Sequence, residues 1–216
     1  MTDPKEIVAH GYNQIADIHA EWAMRTRSEE RARYANILLE RLPDSATLLE
    51  LGCGVGFPTT VLLAQRFRVT GVDISARHIV MASERIPHAT FIHADMTQLT
   101  FPPEHFDAVA AFYSLIHVPR DEQPALLSAI ARWLRPGGLL VASMGARSEV
   151  GSIEDNWLGA PMYWSHFDSV TNQRLVQAVG LDILSAVEET DTEDGEMVTF
   201  LWVVAQKPMA GQRIDR

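Results

Sequence analysis

The apolar positions divide this chain into two stretches. Between residues 46 and 143, short apolar runs alternate with longer segments whose apolar residues recur at three- and four-residue spacing. The runs read as strands over 46–51, 68–73, 88–94, 106–112 and 139–143. Between them, one helix opens near Pro58, where proline suits a first turn, and runs through Val61, Leu62 and Leu63. A second is capped by Ser75. A third, over 121–134, places Leu126, Leu127, Ile130, Trp133 and Leu134 on one side, and Arg135-Pro136-Gly137-Gly138 stops it. Strands alternating with helices imply a parallel sheet with right-handed crossovers. Ahead of this stretch, 6–20 reads as a helix with Ile7, Ile15 and Ile18 on its apolar side. Residues 28–42 read as another, opening at Ser28 with glutamates in its first turn.

Beyond residue 144 the pattern changes. Residues 145–168 show no periodicity and carry three glycines, one proline, two tryptophans and a tyrosine. A helix over 169–179 and strands over 181–188 and 197–206 follow, with the acidic run Glu188 to Glu196 expected as a loop. The tail 208–216 is expected to be disordered. The chain reads as a single domain over 1–207, with 1–43 as a helical cap and 145–168 as an insertion.

Composition narrows the function. The 216 residues are 47% apolar and 21% charged, typical of a globular protein with a full core. A formal charge of −10 opposes a nucleic-acid substrate, because phosphate backbones are held mainly by Lys and Arg. Arg25, Arg27, Arg31 and Arg33 are interleaved with Glu29 and Glu30, which reads as a solvated helix face. No apolar run has membrane-spanning length, and Met-Thr-Asp-Pro-Lys is not a signal peptide. The single cysteine, Cys53, excludes an internal disulfide and fits a reducing cytoplasm. Nothing suggests a metal site: there is no cysteine cluster, no H-E-x-x-H and no histidine pair at ligand spacing. A monomer or a homodimer is expected.

The chemistry concentrates where the first strand ends. Leu48-Leu49-Glu50-Leu51-Gly52-Cys53-Gly54-Val55-Gly56 is a strand running into a glycine turn, and Asp73 ends the next strand. Such glycines admit positive φ and a close-lying ligand, while a carboxylate about 20 residues further on suits a ribose diol. A dinucleotide fingerprint needs a third glycine where Phe57 stands. Glu50 at the strand tip would repel a pyrophosphate but attract an ammonium group. S-adenosylmethionine, cationic and free of phosphate, fits both features.

The chain here resembles the class I S-adenosylmethionine-dependent methyltransferases of the small-molecule type. Five segments carry the resemblance: Glu50 to Gly56, the strand ending at Asp73, His93-Ala94-Asp95-Met96, Phe106 to His117, and Leu134 to Val141. It implies a Rossmann-like α/β fold: a seven-stranded, mostly parallel sheet with helices on both faces and the last strand antiparallel. It also implies S-adenosylmethionine as cofactor. Glu50, Gly52, Cys53, Gly54 and Gly56 would surround its amino-acid end and Asp73 its ribose. Ile74, Asp95 and Met96 would hold adenine, and Phe112 and Tyr113 would lie near the methionine portion. Tyr12 looks like the N-terminal tyrosine that many members fold over the cofactor.

The acceptor side follows from the same comparison. In the family the insertion after strand five commonly forms a substrate lid, which makes Trp157, Met162, Tyr163, Trp164 and His166 candidate substrate contacts. An exposed loop rarely carries so much aromatic area unless it covers something. Methyl transfer depends mainly on holding the nucleophile aligned and dry, and needs a base only if the acceptor loses a proton. His117 and His166 are the candidates. His10, His19, His78, His88, His93 and His105 read as incidental. The expected activity is methylation of an O or N atom of a small molecule. The alternative is a binder of the same cofactor with non-methylating chemistry, cyclase-like or regulatory.

Overall fold

The structure is a computed structural model that describes residues 3–193 and 195–209; most of the tail expected to be disordered lies outside them. Its helices are α1 (Pro4–Arg25), α2 (Ser28–Arg41), α3 (Thr59–Leu63), α4 (Ala76–Arg85), α5 (Gln123–Trp133) and α6 (Ser169–Ala178). Its strands are β1 (Thr47–Leu51), β2 (Arg68–Asp73), β3 (Thr90–His93), β4 (Phe106–Ala111), β5 (Leu134–Gly145), β6 (Glu149–Trp157), β7 (Ala160–His166), β8 (Asp182–Glu193) and β9 (Glu196–Gln206). Seven form one sheet in the order β3-β2-β1-β4-β5-β9-β8. The pairs from β3 to β5 are parallel, and β9 runs antiparallel to both neighbours. The expected α/β architecture is present.

The two-residue period of the strands assigns their side chains to two cores. Leu49, Leu51, Val109, Ala111 and Leu140 face α5 and α6, where Leu127, Ile130, Trp133 and Val176 close the layer. Leu48, Ala108, Ala110 and Val141 face the other way, against Leu38 of α2 and Leu63 of α3. Burial on both faces explains why these strands read as continuous apolar runs.

Several segments depart from the sequence reading. Residues 145–168 are not irregular: β6 and β7 form a separate antiparallel hairpin. The acidic run is not a loop either, since β8 and β9 stay paired out to Glu193 and Glu196. The helix after the glycine turn is a single short turn, and Pro58 precedes it. Ile18 is exposed on α1, whereas α2 starts at Ser28 as expected, with Arg27 in the left-handed region just before it. No helix of the described residues is long and apolar enough to cross a membrane.

The β6–β7 hairpin docks on α1 through Val8, Ile15, Ala160, Met162 and Tyr163. Gly11 makes the contact possible: a Cβ there would fall 2.5 Å from the Pro161 carbonyl oxygen. Alanine is the better helix former by about 0.5–1 kcal/mol. Gly11→Ala is nevertheless expected to destabilise the protein by about 1–3 kcal/mol in a denaturant titration, because backbone must move to admit the methyl. A gain in stability would contradict this packing.

Candidate functional site

A cavity open to solvent lies at the carboxyl ends of the parallel strands. Open α/β sheets bind ligands at this edge. Its floor is the glycine turn. Gly52 has φ +74°, and a Cβ there would lie 2.3 Å from the Ser114 Cβ, so only glycine lets β1 turn beneath the segment after β4. Gly54, at φ +55°, has no atom within 4 Å of its would-be Cβ; its missing side chain leaves space for a ligand.

Asp73 closes the floor. Its Oδ2 accepts from the Gly54 amide at 2.8 Å, and its Oδ1 accepts from the Ser75 amide at 2.8 Å. His78 Nδ1 lies 3.3 Å from Oδ1. Burial alone would raise the carboxyl's pKa, but His78 and the two amides outweigh it and hold the group ionised. Glu50 behaves in the opposite way. It is buried, and one carboxyl oxygen has no partner. Burial outweighs the lowering effect of Thr60 and, with a smaller contribution from the charge of Asp73, pushes it up to about 8. Cys53 is also buried, and its thiol is pushed well up by burial and by both carboxylates, so it is no nucleophile.

On the adenine side of the family pattern, Ile74, Asp95 and Met96 line the cavity. Asp95 is already engaged: it accepts from the Thr97 amide at 2.9 Å and pairs with Lys5 at 2.9 Å. Lys5 also reaches Glu122 at 2.9 Å, which ties the start of α1 across this end.

The opposite wall is aromatic and comes from elements far apart in sequence. The Tyr12 hydroxyl lies 2.7 Å from His117 Nε2, and His117 Nδ1 lies 2.8 Å from the Tyr163 carbonyl. A carbonyl only accepts, so Nδ1 carries the proton and Tyr12 donates to Nε2. Burial lowers the His117 pKa to about 4 and raises that of Tyr12, which leaves both neutral. Trp157 packs 5.8 Å from Tyr12 and 5.3 Å from Trp164, while Trp164 lies 4.6 Å from His117.

Of the residues singled out from sequence, fourteen line this cavity: Tyr12, Glu50, Gly52, Cys53, Gly54, Asp73, Ile74, Asp95, Met96, Phe112, Tyr113, His117, Trp157 and Trp164. Four do not. Gly56 packs against Ala82 of α4 and Ile86 just beyond it. Met162 and Tyr163 are buried between the hairpin and α1, and Tyr163 serves His117 through its carbonyl. His166 lies over Gly145 and bonds the Arg147 carbonyl at 2.6 Å, away from the cavity. Conversely, His19 and His78 line the cavity instead of being incidental, and Arg27 and Arg31 are buried in its wall instead of forming a solvated face. The sequence does show His19 two helical turns beyond Tyr12, a spacing that puts both on one face of α1.

A Methyltransferase domain family model matches residues 48–138. Trans-aconitate 2-methyltransferase of Paracidovorax citrulli is 42% identical over 128 residues, which are 56% of this chain and 47% of that protein. The chain spans about half the length of the curated relatives it matches. Among solved structures, the N-methyltransferase NodS of Bradyrhizobium japonicum aligns over 95% of this chain and 100% of its own, with TM-score 0.71 and 20% identity. The [4+2]-cyclase SpnF aligns over 94% of this chain and 95% of its own, with TM-score 0.73 and 18% identity. At these identities the structures establish the fold. These likenesses make the chain similar to methyltransferases over its central segment, residues 48–138.

Glu50 generates a test of the site's electrostatics. Its pKa is higher folded than unfolded, so the folded state holds more protons between the two values. Stability attributable to this group is full below about 4.5 and falls as the pH rises toward about 8. Glu50→Gln should therefore melt at a higher temperature than the parent at pH 8, with the gap shrinking at pH 5. A gap independent of pH would show that Glu50 is ionised throughout.

Proposed function

We propose that the protein is a methyltransferase that uses S-adenosylmethionine to methylate an O or N atom of a small organic molecule. One observation carries this reading: an ionised Asp73 fixed beside the open glycine turn, with a carboxyl group, Glu50, where a dinucleotide would need room for phosphates. The names of the sequence relatives support it.

S-adenosylmethionine, when bound, supplies an electrophilic methyl group on a sulfonium. The chain's residues do the rest. Asp73 accepts from the ribose hydroxyls. Glu50 loses its proton and offsets the α-ammonium charge. Ile74 and Met96 pack adenine, and Asp95 accepts from its amine alongside its bond to Thr97. Phe112 and Tyr113 bound the methionine portion. Residues 1–43 act as a cap and the β6–β7 hairpin as a lid, so that Tyr12, Trp157 and Trp164 exclude water and present flat apolar surfaces. They suit an apolar or aromatic acceptor.

His117 is the base when the acceptor is a hydroxyl, taking the proton at Nε2 in place of the Tyr12 bond. With a pKa near 4 it is a weak base, so positioning carries most of the rate. His166, held away from the cavity, has no part. The setting is a reducing compartment, in which Cys53 stays a thiol.

The cyclase-like alternative keeps the cofactor site and drops methyl transfer; the fold likeness to a [4+2]-cyclase supports it as the second reading. A panel of small carboxylates, phenols and amines separates the two. Methyl transfer predicts S-adenosylhomocysteine and a product heavier by one methylene in mass spectrometry. Asp73→Ala should abolish most cofactor binding by calorimetry, whereas His117→Gln should leave that affinity within a few-fold and lower kcat roughly tenfold to a hundredfold for a hydroxyl acceptor. An Asp73→Ala variant that binds as tightly as the parent would defeat the assignment.

A further inference from the structure

Two buried nitrogens beside the cavity have nothing to bond: Nδ1 of His19 on α1 and Nε2 of His78 on α4. Both residues line the cavity, and their rings lie 5.3 Å apart. His78 is 1% exposed, and its Nδ1 is spent on Asp73 at 3.3 Å. Among the described residues, no group of three or more His, Cys, Asp or Glu could hold a metal ion, so the pair is no metal centre. Buried polar atoms are nearly always satisfied, and two orphans at a cavity call for an explanation.

The protons are placed by what is already bonded. Asp73 is ionised and only accepts, so His78 Nδ1 carries a proton and Nε2 of the neutral ring accepts. His19 is neutral, its pKa lowered to about 3 by burial, then by His78 and Arg31. Imidazoles with centroids this close bring facing nitrogens to about 3 Å when the rings turn edge to edge. A bond from His19 Nδ1–H to His78 Nε2 therefore satisfies both orphans and leaves the lone pair of His19 at Nε2. That atom bonds no described residue and, unlike Nδ1, is not sealed from solvent. The ring stands 5.9 Å from Trp22 and 5.8 Å from Trp157, which also line the cavity. Its Nε2 is thus a ready acceptor in an aromatic wall.

We propose that His19, oriented by His78 and Asp73, accepts a hydrogen bond from a hydroxyl group of an aromatic methyl acceptor. The inference deepens the methyltransferase reading and rests on it. A hydroxyl fits because it donates. A carboxylate meets a lone pair, with the charge of Asp73 behind it, and is refused. His19 selects the acceptor and takes no proton from it; that stays with His117.

Calorimetric titrations of the full chain, saturated with S-adenosylhomocysteine, read this selection with 4-methylphenol, toluene and 4-methylbenzoate as probes. The parent should bind 4-methylphenol roughly tenfold more tightly than toluene and reject 4-methylbenzoate. His19→Phe keeps an aromatic ring without nitrogens and should erase that preference, with toluene affinity unchanged. His19→Gln, which offers a carbonyl oxygen, should regain part of it, and His117→Gln should leave it in place. Nitrogen-15 spectra of the parent with labelled histidine test the relay without any variant: His19 should carry its proton on Nδ1. His78→Leu should move that proton to Nε2. A parent without the phenol preference, an undiminished preference in His19→Phe, or a parent His19 protonated on Nε2 would overturn the proposal and leave the methyltransferase reading standing. A parent that does not bind S-adenosylhomocysteine would overturn both.

Discussion

The site depends on one clamp: the carboxylate of Asp73, bonded to the amides of Gly54 and Ser75 and to the ring of His78. Those bonds join the end of β2, the glycine turn after β1 and the first turn of α4. They keep the carboxylate charged although it is buried, and they hold the turn in a shape that only glycines adopt. The clamp acts together with the Gly52 and Cys53 amides, which both donate to the Val72 carbonyl, to hold the floor of the cavity.

Around that floor, the protein assembles a wall from segments that have little to do with the sheet. α1 crosses the sheet edge, fastened at one end by Lys5 to Asp95 and Glu122. At the other end Arg27 is tied to the tip of the β8–β9 hairpin through Glu193. The β6–β7 hairpin packs on the middle of α1 and brings its tryptophans against Tyr12 and His117. The floor is thus built by local turns and the wall by long-range contacts. Such a division lets caps and hairpins change while the sheet and its turns stay fixed.

The same division decides what could be read from the sequence. Strands β1, β2 and β4 announce themselves because burial on both faces demands unbroken apolar runs, and the glycine turn and Asp73 sit at fixed offsets from them. The hairpin β6–β7 gave no such signal. β6 is exposed along most of its length, so nothing apolar alternates to mark it. The acidic run of β8 is likewise solvated, and only its pairing with β9 makes it a strand. Arg27 and Arg31 looked like a solvated face because the groups that bury them, Glu193 and Phe200 among them, lie more than 160 residues away. His19 meets His78 only because α1 packs over α4.

The central claim is that this cavity is shaped and charged for a phosphate-free nucleoside bearing an ammonium group. Calorimetric competition on the unmodified protein tests it most directly, with S-adenosylhomocysteine in one arm and NAD in the other. The account predicts saturable binding of S-adenosylhomocysteine that a large excess of NAD does not displace. Binding of NAD that excludes S-adenosylhomocysteine would contradict it.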